Sequence, residues 1–364
     1  MGVGDPTSHG AGSGGVGGRA AAHDRLVVLD AMGGDSGPAV TVPGALAAHR
    51  EHGVPVLLVG RSAELRPLLR RHGGDGEVGV LDAGDVVPMA ERGAGAAARA
   101  GSSLMVGCEA ARRHGGAFVS AGSTGAVVTC AVRVFGRRAG VLRPALAVAL
   151  PTPSGATVLV DAGGTADPTA EMLAQFALLG ASYARAVLGV DDPSVGLLSI
   201  GSEPGKGNRL AREAAGLLPD LPVRYHGNVE GHDVLAGTVD VVVTDGFTGN
   251  VVLKNIEGCV RTTLEMVART GAARPGGLDE VARLYAADTH GGAALLGLAG
   301  TVVVAHGSST PAAIARACAV ASGLAASDPA AGSGPAAGSG PAAGSGPAAG
   351  SGPAGLRAAA RAVP

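Results

Sequence analysis

The sequence predicts an open α/β fold, a mostly parallel sheet covered by helices, and three observations carry that prediction. Continuous Val/Leu/Ile runs recur along the chain, as strands buried on both faces require. Helix-like stretches separate many of them. Nearly every run ends within a residue or two in Gly or Asp, where a strand gives way to a loop.

Taken in order, RLVVLD (25–30) is the first strand, followed by AMGGD and a helix-like stretch from Pro38. VPVLLVG (54–60), VGVLDA (78–83), AFVSAG (117–122), ALAVALP (145–151) and TVLVDAGG (157–164) follow as strands, then VGLLSIG (195–201), VDVVVTDG (239–246) and TVVVAHG (301–307). Residues 175–189, 208–218 and 249–270 read as helices. Residues 1–24 are a Gly-rich leader without the apolar core of a signal peptide. Residues 325–364 carry the AAGSGP repeat, which has too little apolar surface to form a core. One domain, 25–324, lies between them.

Composition narrows the function. Hydrophobic residues make up 46% of 364, enough for a large core, but only four Phe, three Tyr and no Trp contribute to it. With a net charge of -2 and so few aromatics, nothing in the chain points to nucleic acid. No apolar run reaches the ~18 residues of a membrane span. Cys108, Cys130, Cys259 and Cys318 lack metal-ligand spacing and read as buried reduced thiols. No metal or cofactor is expected.

Ligands in open α/β sheets sit beyond the carboxyl ends of strands, so the strand-end loops are the place to look. The first holds Gly34 and Asp35; two adjacent glycines allow a ligand close to the backbone, or simply form a turn. The second, Ser120–Gly125, brings Ser123, Thr124 and Gly125 to a helix start, which is either a phosphate site or an ordinary cap. The third holds Gly205, Lys206 and Asn208. It is not a Walker A loop, because Gly207 interrupts the spacing, yet Lys206 is one of only two lysines. The fourth brings Asp245 and Asn250 to a long helix; the Asn250 amide suits an oxyanion. His306 follows the last strand and has structural packing as its competing reading.

Together these segments resemble the PlsX-type phosphate acyltransferase family. The matching stretches are VVLDAMGGD, SAGSTGA, RPALAVALPT, VDAGG with EMLAQFALLG, VGLLSIGSEPGKGN, GNVEG, DVVVTDGFTGNVVLK and GGAALLGLAGTVVVAHGSS, in that order over roughly residues 26–323. The resemblance implies a three-layer α/β/α sandwich akin to isocitrate and isopropylmalate dehydrogenases, usually a homodimer. It implies acyl transfer from acyl carrier protein to inorganic phosphate, in the cytoplasm or peripheral to the membrane. The acyl phosphate would supply a membrane glycerol-3-phosphate acyltransferase. Lys206 and Asn250 occupy the positions associated with activity. Phosphate is expected near Ser123–Gly125 with Lys206 balancing its charge. Arg133, Arg137, Arg138 and Arg143 form a basic stretch suited to an acidic carrier, or a solvated face.

Some positions depart from the family pattern. Ser123 and Thr165 replace asparagines, Thr169 a lysine, Gly101 an aspartate and Ser36 a histidine. The segment between Gly258 and Gly291 is short where the family often carries a membrane-touching hairpin. Acyl-coenzyme A as donor, or a non-catalytic carrier-binding protein, are the rival readings. A dehydrogenase is disfavoured by the lack of GxGxxG after the first strand.

Overall fold

The computed structural model describes residues 25–91, 93–270, 278, 285 and 291–327. The leader, nearly all of the repeat tail, and most of the short segment before Gly291 lie outside the described residues.

Eleven strands form one sheet in the order β3-β2-β1-β4-β11-β10-β5-β6-β9-β7-β8. In chain order they are β1 (Val27–Asp30), β2 (Val56–Gly60), β3 (Gly79–Asp82), β4 (Ala117–Ser120), β5 (Ala145–Thr152) and β6 (Gly155–Val160). Then come β7 (Ser194–Leu198), β8 (Arg224–Val229), β9 (Val241–Val243), β10 (Ala293–Leu296) and β11 (Thr301–Val304). Pairing is parallel except where β10 meets β11 and β5, and where β5 meets β6. All nine strands read from the sequence are present. β8 and β10 were not read.

Three cores divide the helices into two layers around the sheet. On one face, α1 (Pro38–His52), α2 (Ser62–Arg71) and α10 (Pro311–Ser327) cover the β1 half. On that side of the other half lie α6 (Ala170–Tyr183) and α7 (Arg209–Ala215). The opposite face carries α3 (Gly93–Ala98), α4 (Ser103–His114), α5 (Thr124–Phe135), α8 (Asp233–Ala236) and α9 (Gly246–Thr270). This is the three-layer sandwich. Its interior is aliphatic, with Phe118 and Phe176 the largest fully buried side chains.

The antiparallel strands in the middle decide where the site lies. β1 to β4, β11 and β5 run one way; β10, β6, β9, β7 and β8 run the other. The loops after β1, β4 and β11 therefore open at one edge of the sheet. Those after β6, β7 and β9 open at the opposite edge. The helix α9 climbs from that second edge back along the sheet, and its third turn reaches His306.

Among the described residues no helix is long and apolar enough to cross a membrane. Cys108, Cys130 and Cys318 are buried, and burial pushes the Cys130 and Cys318 thiols up to about 11 and about 12. Cys259 is a correction to the expected burial: it lies exposed on α9.

Candidate active site

A cavity of about 400 Å³ lies over β5, bordered by the start of α5 and by α9. Leu146, Val148, Leu150, Leu253, Ile256 and Val304 give it aliphatic walls. Its polar groups come from both edges of the sheet. Thr124 and His306 arrive from one edge; Gly163 and Asn250 arrive from the other.

The first group is tied together by buried bonds. Asp30, at the end of β1, accepts hydrogen bonds from the Ser120 hydroxyl at 2.7 Å and from the Met32 amide at 3.1 Å. Burial nevertheless pushes this carboxyl above its ordinary range. The Asp35 amide donates to the Gly307 carbonyl at 2.8 Å, holding the first loop to the His306 loop. Ser123 occupies the cap position of α5, but its hydroxyl accepts no bond from the helix. Thr124 begins the helix at the cavity wall, where the dipole favours an anion.

The second group is built on α9. Asn250 and Lys254 are four residues apart, hence on one helical face, and both line the cavity. The Lys254 ammonium donates to Glu257 Oε2 at 2.8 Å and lies 3.2 Å from His306 Nε2. His306 Nδ1 lies 2.8 Å from the Ser308 hydroxyl. An ammonium has three N–H donors; Glu257 takes one, and whether His306 Nε2 takes a second is set by which ring nitrogen carries the proton. Tyr285 also lines the cavity, with its hydroxyl donating to the Pro151 carbonyl at 3.2 Å.

Thr124, Asn250 and His306 thus meet in one cavity. Lys206 is not among its lining residues; it is exposed, on the loop after β7. Asn208 and Asp245 line a different cavity, of about 310 Å³, which Thr248 and Val252 of α9 also border. Both side chains serve as helix caps there. Asn208 accepts from the Ala211 amide at 2.8 Å, and Asp245 accepts from the Thr248 amide at 2.7 Å. Gly205 stands in the same loop at φ 86. Gly34 lines a small crevice beside Gly307, and Asp35 is exposed next to it. The reversal of strand direction separates these groups, since β7 and β4 end at opposite edges.

Sequence reasoning missed Lys254. The available signal was its place one turn beyond Asn250 as the only other lysine. It also passed over Asp161, whose burial a strand-end VDAGG does not reveal. Of the four arginines, Arg137 donates to the Val141 and Leu142 carbonyls and Arg138 to the Leu298 carbonyl at 3.0 Å. Arg133 and Arg143 are exposed.

A family model described as "Fatty acid synthesis protein" matches residues 26–331. A phosphate acyltransferase of Thermobifida fusca is 49% identical over 308 residues, covering 80% of this chain and 86% of that one. One from Thermus thermophilus is 45% identical over 303 residues, covering 80% and 92%. In fold, a phosphotransacetylase from Streptococcus pyogenes superposes with a TM-score of 0.58 at 18% identity, over 84% of this chain and 95% of that one. The EutD phosphotransacetylase from Staphylococcus aureus gives 0.55 at 15%, over 83% and 94%. With a family model spanning the described fold and a relative this similar over four-fifths of its length, the chain belongs to the PlsX-type phosphate acyltransferase family.

Proposed function

We propose that this acyltransferase moves a fatty acyl group from the thioester of acyl carrier protein to inorganic phosphate. The observation carrying this reading is the single cavity in which a helix N-terminus, Lys254, His306 and Asn250, with Glu257 and Tyr285, line a largely aliphatic space. Phosphate binds at the start of α5, its charge balanced by the Lys254 ammonium. Its oxygen attacks the thioester carbonyl; the C–O bond forms and the C–S bond breaks. The Asn250 amide donates to the oxyanion between these events. The departing thiol has an ordinary pKa of about 8.5, so the thiolate leaves without strong acid assistance. No enzyme nucleophile is needed, and positioning supplies most of the acceleration.

The acyl phosphate is an activated donor for a membrane enzyme that acylates glycerol 3-phosphate. Arg133 and Arg143 are exposed cations suited to an acidic carrier. The test mixes purified protein, phosphate and acyl-carrier thioester, and traps acyl phosphate with hydroxylamine. A parallel arm replaces the carrier with coenzyme A. Hydroxamate from the carrier arm is expected. Hydroxamate from the coenzyme arm alone reassigns the donor, and none from either arm overturns the reading.

A further inference from the structure

The reaction as written makes no use of a carboxylate with no exposed surface that lies behind Asn250. Asp161 follows β6. Its Oδ1 accepts the backbone amides of Leu146 at 2.8 Å, Gly163 at 3.1 Å and Gly164 at 2.8 Å. Its Oδ2 accepts the Thr165 amide at 2.6 Å. No ion pair to it is found among the described residues. Burial raises its pKa while the four amides act to lower it. A buried anion satisfied only by main-chain donors is well suited to fixing the path of a loop.

The same residue is the seat of α9. A Cβ built on Gly249 would fall 1.9 Å from the Asp161 carbonyl oxygen, and one built on Gly246 2.8 Å from Oδ2. Real Cβ atoms do not approach so closely. These two positions are glycine because the first turn of α9 lies at Gly249 on the Asp161 carbonyl and at Gly246 on the Thr165 carbonyl and the Asp161 carboxylate. The Gly246 amide also donates to the Thr165 carbonyl at 2.9 Å, in the loop that the carboxylate holds. Asn250 is the next residue after Gly249. Its Cβ lies 3.5 Å from a Cβ built on Gly163, in that same loop.

We infer that Asp161 is a positioning residue: by holding residues 163–165 and seating Gly246 and Gly249, it sets the direction in which the Asn250 amide enters the cavity. The inference takes its kinetic readout from the proposed acyl transfer, and a second readout is independent of it. Asp161→Asn places an N–H donor among N–H donors. Gly249→Ala lifts the helix turn. A displacement of about 1 Å at a reacting group costs about 10²-fold in rate. Both variants should therefore lower kcat by about that factor, with the KM for phosphate changed by less than about threefold. In an Asn250→Ala background the same substitutions should cost little more, because the group they misplace is gone.

Full multiplication of the two losses in that background would overturn the inference, as would wild-type kcat in Asp161→Asn. Without any catalysis, the side-chain amide resonance of Asn250, assigned by its loss in Asn250→Ala, should shift in Asp161→Asn. Those of Asn208 and Asn255 should hold still. An unmoved Asn250 resonance overturns the inference whatever the activity. If Gly249→Ala does not fold, Asp161→Asn carries both readouts. If the wild-type protein forms no acyl phosphate while Asp161→Asn still shifts the Asn250 resonance, the proposed reaction is rejected and the positioning role is kept.

Discussion

Removing the Lys254 ammonium separates two places for the phosphate. Lys254→Met keeps most of the aliphatic stem and deletes the charge. The ammonium still has an N–H for a ligand after Glu257 has taken one. A hydrogen bond between charged groups contributes ~1.5–3 kcal/mol. The Lys254 side chain is 46% exposed, so solvent screens it and the low end applies. At 1.4 kcal/mol per factor of ten, the KM for phosphate should rise by about tenfold. Glu257, left without its partner at the cavity wall, adds to that rise by repelling the anion; Glu257→Gln should by itself lower the KM. The assay is hydroxamate formation with phosphate titrated at saturating acyl-carrier thioester, repeated at low and high salt. The mutant and wild-type curves should converge as salt increases. The reasoning fails if Lys254→Met leaves the KM within about twofold while Lys206→Met raises it more than tenfold. That outcome would move the phosphate to the other side of α9.

Three further expectations follow from the same geometry. Asn250→Ala should lower kcat by ~10²–10³-fold, the usual loss of one oxyanion donor, with thermal stability little changed because the side chain is exposed. The buried Asp30 carboxyl has a raised pKa, so between 3.8 and that value the folded state binds the proton more tightly than the unfolded state. Stability from this group therefore falls as pH rises through that window, and Asp30→Asn should remove that slope in melting curves taken across it. A double variant, Arg133→Glu with Arg143→Glu, should raise the KM for the carrier several-fold at low salt and leave the KM for phosphate unchanged.

The legible parts of this fold were those where composition and burial agree. Val27–Leu29, Leu57–Val59 and Val241–Val243 are continuous aliphatic runs because helices cover both faces of the sheet there. Strand β8 reads RYHGNV, polar and glycine-interrupted, because it is an edge strand with one paired side and substantial exposure. Strand β10, AALL, is too short and alanine-rich to stand out. The direction of the strands was the costlier omission. The turn between ALAVALP and TVLVDAGG holds Pro153, Ser154 and Gly155, a hairpin signal that announces the antiparallel step from β5 to β6. Had it been read as a reversal, Lys206 would have been assigned to the opposite edge from Ser123. Thr124, Asn250 and His306 were legible because each sits where a strand gives way to a loop or helix. Lys254 was not, because its approach to His306 depends on the course of α9 across the sheet.

The half of the sheet that begins the chain is completed by its end. Strand β11 adds to β4, α10 packs on α1, and the Ser322 hydroxyl donates to the Arg25 carbonyl at 3.1 Å. Ile314, Cys318 and Ala321 fill the core beneath β1. During synthesis, the first strands made must wait for residues 311–327 before their apolar face is shut. A nascent chain stopped before Pro311 exposes the oldest part of the protein rather than the newest. Premature termination in this gene would therefore be felt as collapse of the amino-terminal half, with His306 already made but lacking a frame to hold it.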